Sequence, residues 1–192
     1  MQSRQLINFM KTIGQLKRNT RHVWDENGRQ ESVADHSWRL AVMALLVAEE
    51  FPDVDLEKVV KMCLVHDFGE ALTGDIPSFY KTKQDEEKET VAIADLLGRL
   101  PEGISTEFKN LFAEMAEKRT PEAKLFKALD RMEAVLSHNE SPLDTWLELE
   151  HTENQTYGIE DAAHSEYLAN LREELKKDTI NKVTDDIWRI QP

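Results

Sequence analysis

The sequence predicts an all-α protein, because its composition, its turn residues and its apolar periodicity all favour helices. Leu, Ala, Glu and Lys dominate the 192 residues, and only 7 Gly and 6 Pro interrupt them. Apolar residues recur at steps of three and four, whereas no alternating strand pattern of convincing length appears. Apolar residues make up 40% of the chain and charged residues 32%, which is typical of a well-packed globular protein. The length suits one substantial domain, so residues 1–192 are expected to form a single domain.

Each helix is predicted from an apolar stripe and from the residues that begin or end it. The stripe of the first helix consists of Leu6, Phe9, Met10, Ile13 and Leu16. Asp55 caps the third helix, and Pro121 occupies the first position of a long later helix. The polar segment from Asn19 to Glu31 is expected to be a loop, because Asn27-Gly28 is a strong turn signal. The predicted helices span residues 3–18, 32–50, 55–72, 84–99, 104–117 and 120–138, a further helix from Ser141, and residues 161–177.

The net charge of −13 argues against a general nucleic-acid-binding protein, because such proteins grip phosphate backbones with extended basic surfaces. It is compatible with a small anionic substrate, for which one metal ion and one arginine suffice. A single cysteine excludes an internal disulfide framework and a Cys-rich zinc site, and it fits a reducing cytoplasm. The N-terminus shows no secretory signal, and no apolar run approaches the ~18 residues of a membrane span. A cytoplasmic protein without nucleic-acid or membrane partners is therefore expected.

Polar residues that share a helix face with apolar residues are the first candidates for a functional site. An ionised carboxylate in such a place needs a cation or several hydrogen-bond donors, because burial of an unpaired charge is costly. Helical spacing puts Leu40, Met43, Ala44 and Val47 on the face of His36, and it puts Val59 and Met62 on the face of His66. In the same way, Leu56, Val60 and Cys63 share the face of Asp67, and Ala123, Phe126 and Ala134 share the face of Asp130.

One divalent metal ion would satisfy these two histidines and two carboxylates together. Each residue also has a simpler explanation. A lone His36 on an apolar face is more often a satisfied core residue, and Asp130 could form a buried salt bridge to Arg39 or Arg131. Spacing alone does not show that three helices converge, and a bare His-Asp pair is common, so the residues by themselves leave both explanations open.

Three longer motifs resemble a known family. They are LKRNTRHVWDENGRQESVADHSWRLAVMALLV, LVHDFGEALTGDIP and EAKLFKALDRME, and they cover residues 15–140. This pattern, H36…H66-D67…D130, resembles the HD-domain phosphohydrolases, and HD-x-x-E followed by G-D-[IL]-P is similar to their 5′-deoxynucleotidase branch. The resemblance implies a single-domain helical bundle of the HD type. Residues 141–192 carry little recognisable pattern and are expected to complete the domain with helices.

The resemblance implies a role for each matching residue. The metal ligands would be His36, His66, Asp67 and Asp130, and the catalytic residues would be Glu70 and Asp75. Arg21 matches the arginine that contacts substrate phosphate, with Arg18 as a second candidate. Trp24 follows Arg21 by three residues, whereas some members have a sugar-sensing Trp directly after that arginine. The loop Asp75, Ile76, Pro77 and Ser78 would line the substrate site.

The residue chemistry agrees with the role of Glu70. It stands four residues after His66 and three after Asp67, which places the three side chains on one side of a helix. A metal ion makes water a stronger nucleophile near neutral pH, and a carboxylate beside it can accept or relay a proton. Without the resemblance, Glu70 could equally be a solvated residue at a helix end. Arg21 would then be interpreted as a surface arginine near Asp25 or Glu26.

The expected function is a metal-dependent phosphomonoesterase that converts deoxyribonucleoside 5′-monophosphates to nucleoside and phosphate. One alternative is another HD hydrolase, acting on nucleotide diphosphates or cyclic nucleotides, although the remaining histidines His22, His138, His151 and His164 form no His-His pair for a second metal. Another is a non-enzymatic ligand-binding protein with a structural metal, in which Glu70 and Asp75 would be dispensable. Mixed His/Asp ligation suits Mn, Co, Fe, Ni or Zn. A homodimer is expected from the resemblance and from apolar helical surface.

Overall fold

The structure is a computed structural model that describes the backbone of residues 1–190 and the side chains of residues 1–185. It confirms the all-α prediction. The helices are α1 Ser3–Ile13, α2 Val33–Leu46, α3 Leu56–Val65, α4 Glu70–Thr73, α5 Lys83–Gly98, α6 Glu102–Glu117, α7 Pro121–Glu140, α8 Glu150–Thr156, α9 Ile159–Ala162 and α10 Glu166–Ile190. The expected domain extends to residue 192, and its last two residues lie outside the described part. Within that part, no helix is both long and apolar enough to cross a bilayer.

The centre of the fold is formed by α2, α3 and α7, which pack against one another. Leu40, Val59, Met62, Leu129 and Met132 are fully buried between them. Burial of each such side chain contributes about 1.5–3 kcal/mol, so this contact fixes the relative positions of the three helices. These helices, and the turn that follows α3, carry the four residues that the sequence singles out as metal ligands.

The predicted loop at residues 19–31 was wrong in part, because it contains a small antiparallel hairpin. Strand β1 spans Thr20–Trp24 and strand β2 spans Gln30–Ser32. The turn lies where Asn27-Gly28 predicts it, and the Asp25 carboxylate accepts the backbone N–H groups of Asn27 and Arg29, each at 2.9 Å. The strands are short and their register is irregular, so the alternating pattern that reveals a strand has no room to develop.

Several predicted helix ends were also wrong. The first helix ends at Ile13 and continues as a 3-10 turn to Lys17, and Leu6 and Met10 of its apolar stripe are exposed. The third helix ends at Val65 rather than near residue 72. Residues 66–69 then turn through i to i+3 hydrogen bonds, such as Glu70 N–H to Asp67 O at 3.0 Å, before α4 begins.

The C-terminal third departs most from the predicted helices. Ser141-Pro142 leads into a short 3-10 turn, Leu143–Thr145, and not into a regular helix. The expected helix at 161–177 begins at Glu166, because residues 159–162 form the separate short helix α9. The polar and apolar residues of this region do not form one continuous stripe, so periodicity could not separate three consecutive helices.

Candidate metal centre and active site

Four predicted ligands meet at one point, although they come from three parts of the chain. His36 lies in α2, Asp130 in α7, and His66 and Asp67 in the turn after α3. The Nε2 atoms of the two histidines are 3.3 Å apart, and Asp130 Oδ1 lies 3.2 Å from His36 Nε2 and 3.5 Å from His66 Nε2. Asp67 Oδ2 lies 3.0 Å from His66 Nε2 and 3.9 Å from His36 Nε2. Two nitrogens and two carboxylate oxygens therefore face a common centre.

The other nitrogen of each histidine is held by a hydrogen-bond acceptor. The His66 Nδ1–H group donates to the carbonyl oxygen of Cys63 at 2.9 Å, and His36 Nδ1 bonds to the carboxylate of Glu133. An acceptor at Nδ1 fixes the ring orientation and directs the Nε2 lone pair away from it. Both rings thus present Nε2 to the centre in the form that binds metals.

The electrostatics of the cluster favour a cation. Burial opposes ionisation of Asp67 and Asp130, yet neighbouring charges lower the pKa of both carboxyls, His66 for Asp67 and Lys127 for Asp130. Burial and Arg21 lower the pKa of His36, but Glu133 and Asp130 outweigh them and raise it to about 9. The two acids are therefore ionised, and protons compete with a metal ion for His36.

The donor set fits a first-row divalent ion. Donor atoms about 2.0–2.2 Å from one ion are separated by roughly 3–3.5 Å at tetrahedral or octahedral angles, and the distances given above lie close to this range. His36, His66 and Asp67 offer donor atoms that all lie within 4.8 Å of one another. Asp130 lies outside this group of three and faces the centre through its contacts with the two histidines. The alternative explanation of Asp130, a buried salt bridge to Arg39 or Arg131, is not found among the described residues. The second oxygen of Asp130, Oδ2, accepts a hydrogen bond from Lys127 Nζ at 2.7 Å instead.

Glu70 lies next to the cluster and is unusually placed for an acid. Its side chain is 6% exposed, and its Oε2 atom has no hydrogen-bond partner among the described residues. Burial, together with the carboxylates of Asp67 and Asp75, raises the pKa of Glu70 to about 10. Burial and Asp67 also raise the pKa of Asp75, while Arg21 opposes this shift. The site thus combines two ionised acids that face the histidines with two acids whose proton affinity is increased.

A cavity of about 720 Å³ opens above the cluster. Of the predicted substrate residues it contains Arg21, Asp75, Ile76, Pro77 and Ser78, together with the predicted catalytic residue Glu70. Such a volume lies within the range of small-molecule sites.

Two predicted substrate contacts are not brought to the cavity. Arg18 is exposed and its Nε–H group donates to Gln15 at 3.1 Å. Trp24 packs edge-on against His22, with ring centroids 4.7 Å apart, and it does not line the cavity. The residue directly after Arg21 is His22, which lines the cavity. Trp24 lies two residues farther along β1 and does not reach it.

Arg21 reaches the cavity but is bound to two acids. Its Nη1 atom lies 2.5 Å from Glu31 Oε2 and 3.3 Å from Glu133 Oε2. Burial lowers the pKa of Arg21, but Glu133 and Glu31 outweigh it and raise that pKa above its usual value. The simpler sequence interpretation, a surface arginine near Asp25 or Glu26, was therefore wrong, and the guanidinium is held rigidly beside the cluster.

Sequence reasoning missed several charged residues of the site. Glu133 is fully buried and joins His36 to Arg21, and Lys81 and Lys127 line the cavity. Glu133 stands three residues after Asp130, in the quoted motif EAKLFKALDRME, so its position on the same helix face was an available signal. His22 and His138 also line the cavity, although they are far apart in sequence.

Comparison with known proteins agrees with this geometry. The HD domain family model matches residues 13–172. The 5′-deoxynucleotidase HDDC2 of Danio rerio is 38% identical over 139 residues, which is 70% of this chain and 68% of that protein. The human protein of the same name is 34% identical over 142 residues, or 72% and 69% of the two chains.

A solved structure gives the same result. The protein from Magnetospirillum magnetotacticum, described as a predicted metal-dependent phosphohydrolase, has a TM-score of 0.77 and 27% identity, and the match covers 93% of each chain. The family match over residues 13–172 includes the helices that carry the cluster. The chain therefore belongs to the HD domain family and is one of its metal-dependent phosphohydrolases.

Proposed function

We propose that this protein hydrolyses deoxyribonucleoside 5′-monophosphates to nucleoside and phosphate, with one divalent metal ion bound by His36, His66, Asp67 and Asp130. The observation that carries this proposal is the convergence of these four donors beside a buried carboxyl, Glu70, at the wall of a nucleotide-sized cavity. The relatives named 5′-deoxynucleotidase support the choice of substrate. Mn, Co, Fe, Ni and Zn all suit the mixed nitrogen and oxygen donors.

When bound, such an ion would polarise a phosphoryl oxygen and increase the nucleophilicity of water. In the overall reaction a water oxygen forms a bond to phosphorus, and the bond from phosphorus to the 5′ oxygen breaks. The leaving 5′ oxygen must gain a proton to become the hydroxyl group of the nucleoside. The chain has to supply that proton and orient the ester.

Glu70 is the group that we assign to proton transfer. A pKa raised to about 10 keeps its carboxyl protonated near neutral pH in the metal-free protein, so it can donate to an oxygen that becomes more basic. Asp75 lines the same wall and also has a raised pKa, which makes it suited to hydrogen bonding with the substrate. This assignment gives the two acids different roles.

The phosphate would be bound by cations that are already fixed in place. Arg21, Lys81 and Lys127 all line the cavity. Each is paired with an acid, for example Arg21 with Glu31 and Lys127 with Asp130, so little side-chain entropy is lost when a phosphate binds. We propose Arg21 as the principal contact, in agreement with its place in the sequence motif.

The alternatives have less support. Cyclic-nucleotide hydrolysis of the two-metal kind needs a second cluster, and His36, His66 and Asp67 are the only group with metal-binding spacing among residues 1–185. Membership of a phosphohydrolase family argues against a non-enzymatic protein.

Three further expectations remain proposals. We propose that residues 1–192 form one domain, since the family match covers 13–172 and α10 packs against α7. We propose a homodimer, for which exposed Trp38 and Leu45 on α2 offer apolar surface. A cytoplasmic location is also proposed, in line with the single buried cysteine.

Phosphate release from a panel of mononucleotides tests the proposed function. With each metal added in turn, 5′-monophosphates of deoxynucleosides should be hydrolysed much faster than 3′-phosphates, ribonucleotides or triphosphates. Equal rates on AMP and dAMP would refute the preference for deoxyribose and leave the nucleotidase activity standing. Faster cleavage of cyclic nucleotides than of any monophosphate would refute both.

A further inference from the structure

Glu133 connects a proposed metal ligand to the proposed phosphate contact through one carboxylate oxygen. Its side chain is 0% exposed, and it lies on α7. Its Oε2 atom bonds to Nδ1 of His36 and lies 3.3 Å from Nη1 of Arg21. His36 belongs to α2 and Arg21 to β1, so a single buried acid joins two functional side chains from separate parts of the fold.

Helix α7 holds the His36 ring from two sides. Asp130 and Glu133 are three residues apart on this helix and therefore share a face. Asp130 Oδ1 lies 3.2 Å from His36 Nε2, whereas the Glu133 carboxylate lies at Nδ1. With a metal ion at Nε2, the ring hydrogen must be on Nδ1, where Glu133 accepts it. Such an acceptor fixes the orientation of a metal-binding imidazole and makes the other nitrogen a stronger donor.

Arg21 is held at one nitrogen only. Within the described residues, its guanidinium bonds through Nη1, which lies 2.5 Å from Glu31 Oε2 and 3.3 Å from Glu133 Oε2. A guanidinium group carries N–H donors on every nitrogen, all in one plane. Because both acids hold the same nitrogen, they fix the position of the group and leave its other donors for a ligand in the cavity, which Arg21 lines.

A second acid, Glu31 of β2, holds Arg21 without contacting the metal ligand. No hydrogen bond or ion pair joins Glu31 to His36 among the described residues. Ser137 Oγ lies 3.1 Å from Glu31 Oε1 and 2.8 Å from Glu133 Oε1, so its hydroxyl bridges the two acids. Glu31 thus shares Arg21 and Ser137 with Glu133 and differs from it in having no contact with His36. This difference makes Glu31 a matched comparison.

Fold stability alone is a poor explanation for an ionic network at this depth. Removing a carboxylate from water has a desolvation cost that its attraction to cations often does not exceed, and apolar residues in its place are often neutral or stabilising. Leu129 and Met132, which flank Glu133 closely on α7, are apolar and fully buried. A buried acid among them, with each oxygen bonded, indicates a role that requires fixed positions.

We propose that Glu133 is a positioning residue that sets His36 for the metal ion and Arg21 for the phosphate at the same time, of which the phosphate half rests on the proposed nucleotidase function. Glu133 touches neither the metal position nor the substrate, so its effect passes through the two side chains that it holds. A change at Glu133 should therefore weaken the binding of both metal and phosphate. The same change at Glu31 should weaken the binding of phosphate alone.

The test compares Glu133→Asp with Glu31→Asp. Each variant keeps the negative charge and withdraws the carboxylate by one methylene, so position changes while net charge does not. Calorimetric titration of the metal-free proteins gives the Kd for Mn²⁺ and for Zn²⁺. Titration of the Mn²⁺-saturated proteins gives the Kd for inorganic phosphate, so neither measurement requires catalysis. Thermal unfolding shows whether each variant is folded at the titration temperature, and Glu133→Gln with Glu31→Gln replaces the pair if one is not.

We expect Glu133→Asp to weaken metal binding by on the order of 10–100-fold, the usual effect of losing the hydrogen-bond partner of a ligand. Glu31→Asp should leave the Kd of the metal unchanged. Both variants should weaken phosphate binding by roughly threefold to tenfold, the usual effect of one weakened hydrogen bond.

Wild-type metal affinity in Glu133→Asp would overturn the proposal, and so would equal weakening of metal binding in the two variants, because the effect would then not pass through His36. Unchanged phosphate binding in Glu133→Asp would overturn the part that concerns Arg21. If the wild type released phosphate from no deoxynucleotide, the proposed function would be wrong, and the titrations would still confirm or overturn the role of Glu133.

Discussion

Among single residues, Glu70 contributes most to the proposed reaction, and its position has a cost. A carboxyl group that is 6% exposed, with one oxygen unpaired among the described residues and two acids nearby, does not stabilise the fold. Such a raised pKa is a frequent property of groups that transfer protons in active sites. We therefore interpret Glu70 as a residue kept for chemistry.

Glu70→Gln should lower turnover of the metal-loaded enzyme by on the order of 10²–10⁴, the usual contribution of a general acid–base group. The variant should keep its metal, because Glu70 is not among the proposed ligands. Its thermal stability should change little, since a neutral amide replaces a neutral carboxyl group of nearly the same size. Glu153→Gln is the matched control, because Glu153 is an exposed acid that lines the same cavity. Full activity of Glu70→Gln would transfer the proton-donating role to Asp75 or to no protein group.

The sequence allowed some site residues to be predicted and concealed others, for a physical reason. Asp67 and Asp130 were recognisable because a charged group among apolar neighbours on one helix needs compensation, and this signal is local. Glu150 has no such signal, since its neighbour His22 lies in β1, more than a hundred residues away in the chain. The charge balance of Arg21 was equally hidden, because its two acids lie in β2 and α7.

At the scale of elements, the interruption after α3 matters most for the site. Continuous helix through residue 72 was predicted because the apolar periodicity does not change there, and a periodic pattern does not reveal a tightened turn. The i to i+3 bonding from His66 to Gly69 lets two adjacent residues, His66 and Asp67, both direct donor atoms to one centre. In a regular helix adjacent side chains diverge by about 100°, so the departure from regular structure serves the cluster.

The junction of α9 with α7 gives a test at the same scale. Gly158 precedes α9 with φ +81°, and a Cβ atom there would lie 2.8 Å from the Cβ atom of Arg131. Gly158→Ala should lower the free energy of unfolding by about 1–2 kcal/mol for the left-handed backbone, plus a further loss for the contact. Gly28→Ala is the control, because Gly28 has φ +78° and no described atom lies within 4 Å of the added one. Equal destabilisation of the two variants in chemical denaturation would contradict the close packing at Gly158.

For the molecule as a whole, the fold class and the central helices could be predicted because they depend on local periodicity and on the family motifs. The way in which the helices pack together could not be predicted, since the convergence of α2, α3 and α7 depends on contacts between residues that are distant in the chain. The hairpin and the short C-terminal helices were missed because short elements carry too few residues for a periodic signal. These missed elements bring His22, Glu150 and Asn154 to the cavity, so this wall of the cavity was the part least accessible from sequence.

The most direct test of the central claim is metal analysis of the purified protein, because one ion shared by three parts of the chain underlies the proposed reaction. Wild type should contain about one equivalent of a divalent transition metal. Asp67→Asn should lose it, and Glu70→Gln should retain it, since the two near-isosteric changes differ in whether a proposed ligand is removed. A well-folded wild type that binds no divalent ion at micromolar concentration, or an Asp67→Asn variant that keeps a full equivalent, would contradict the account.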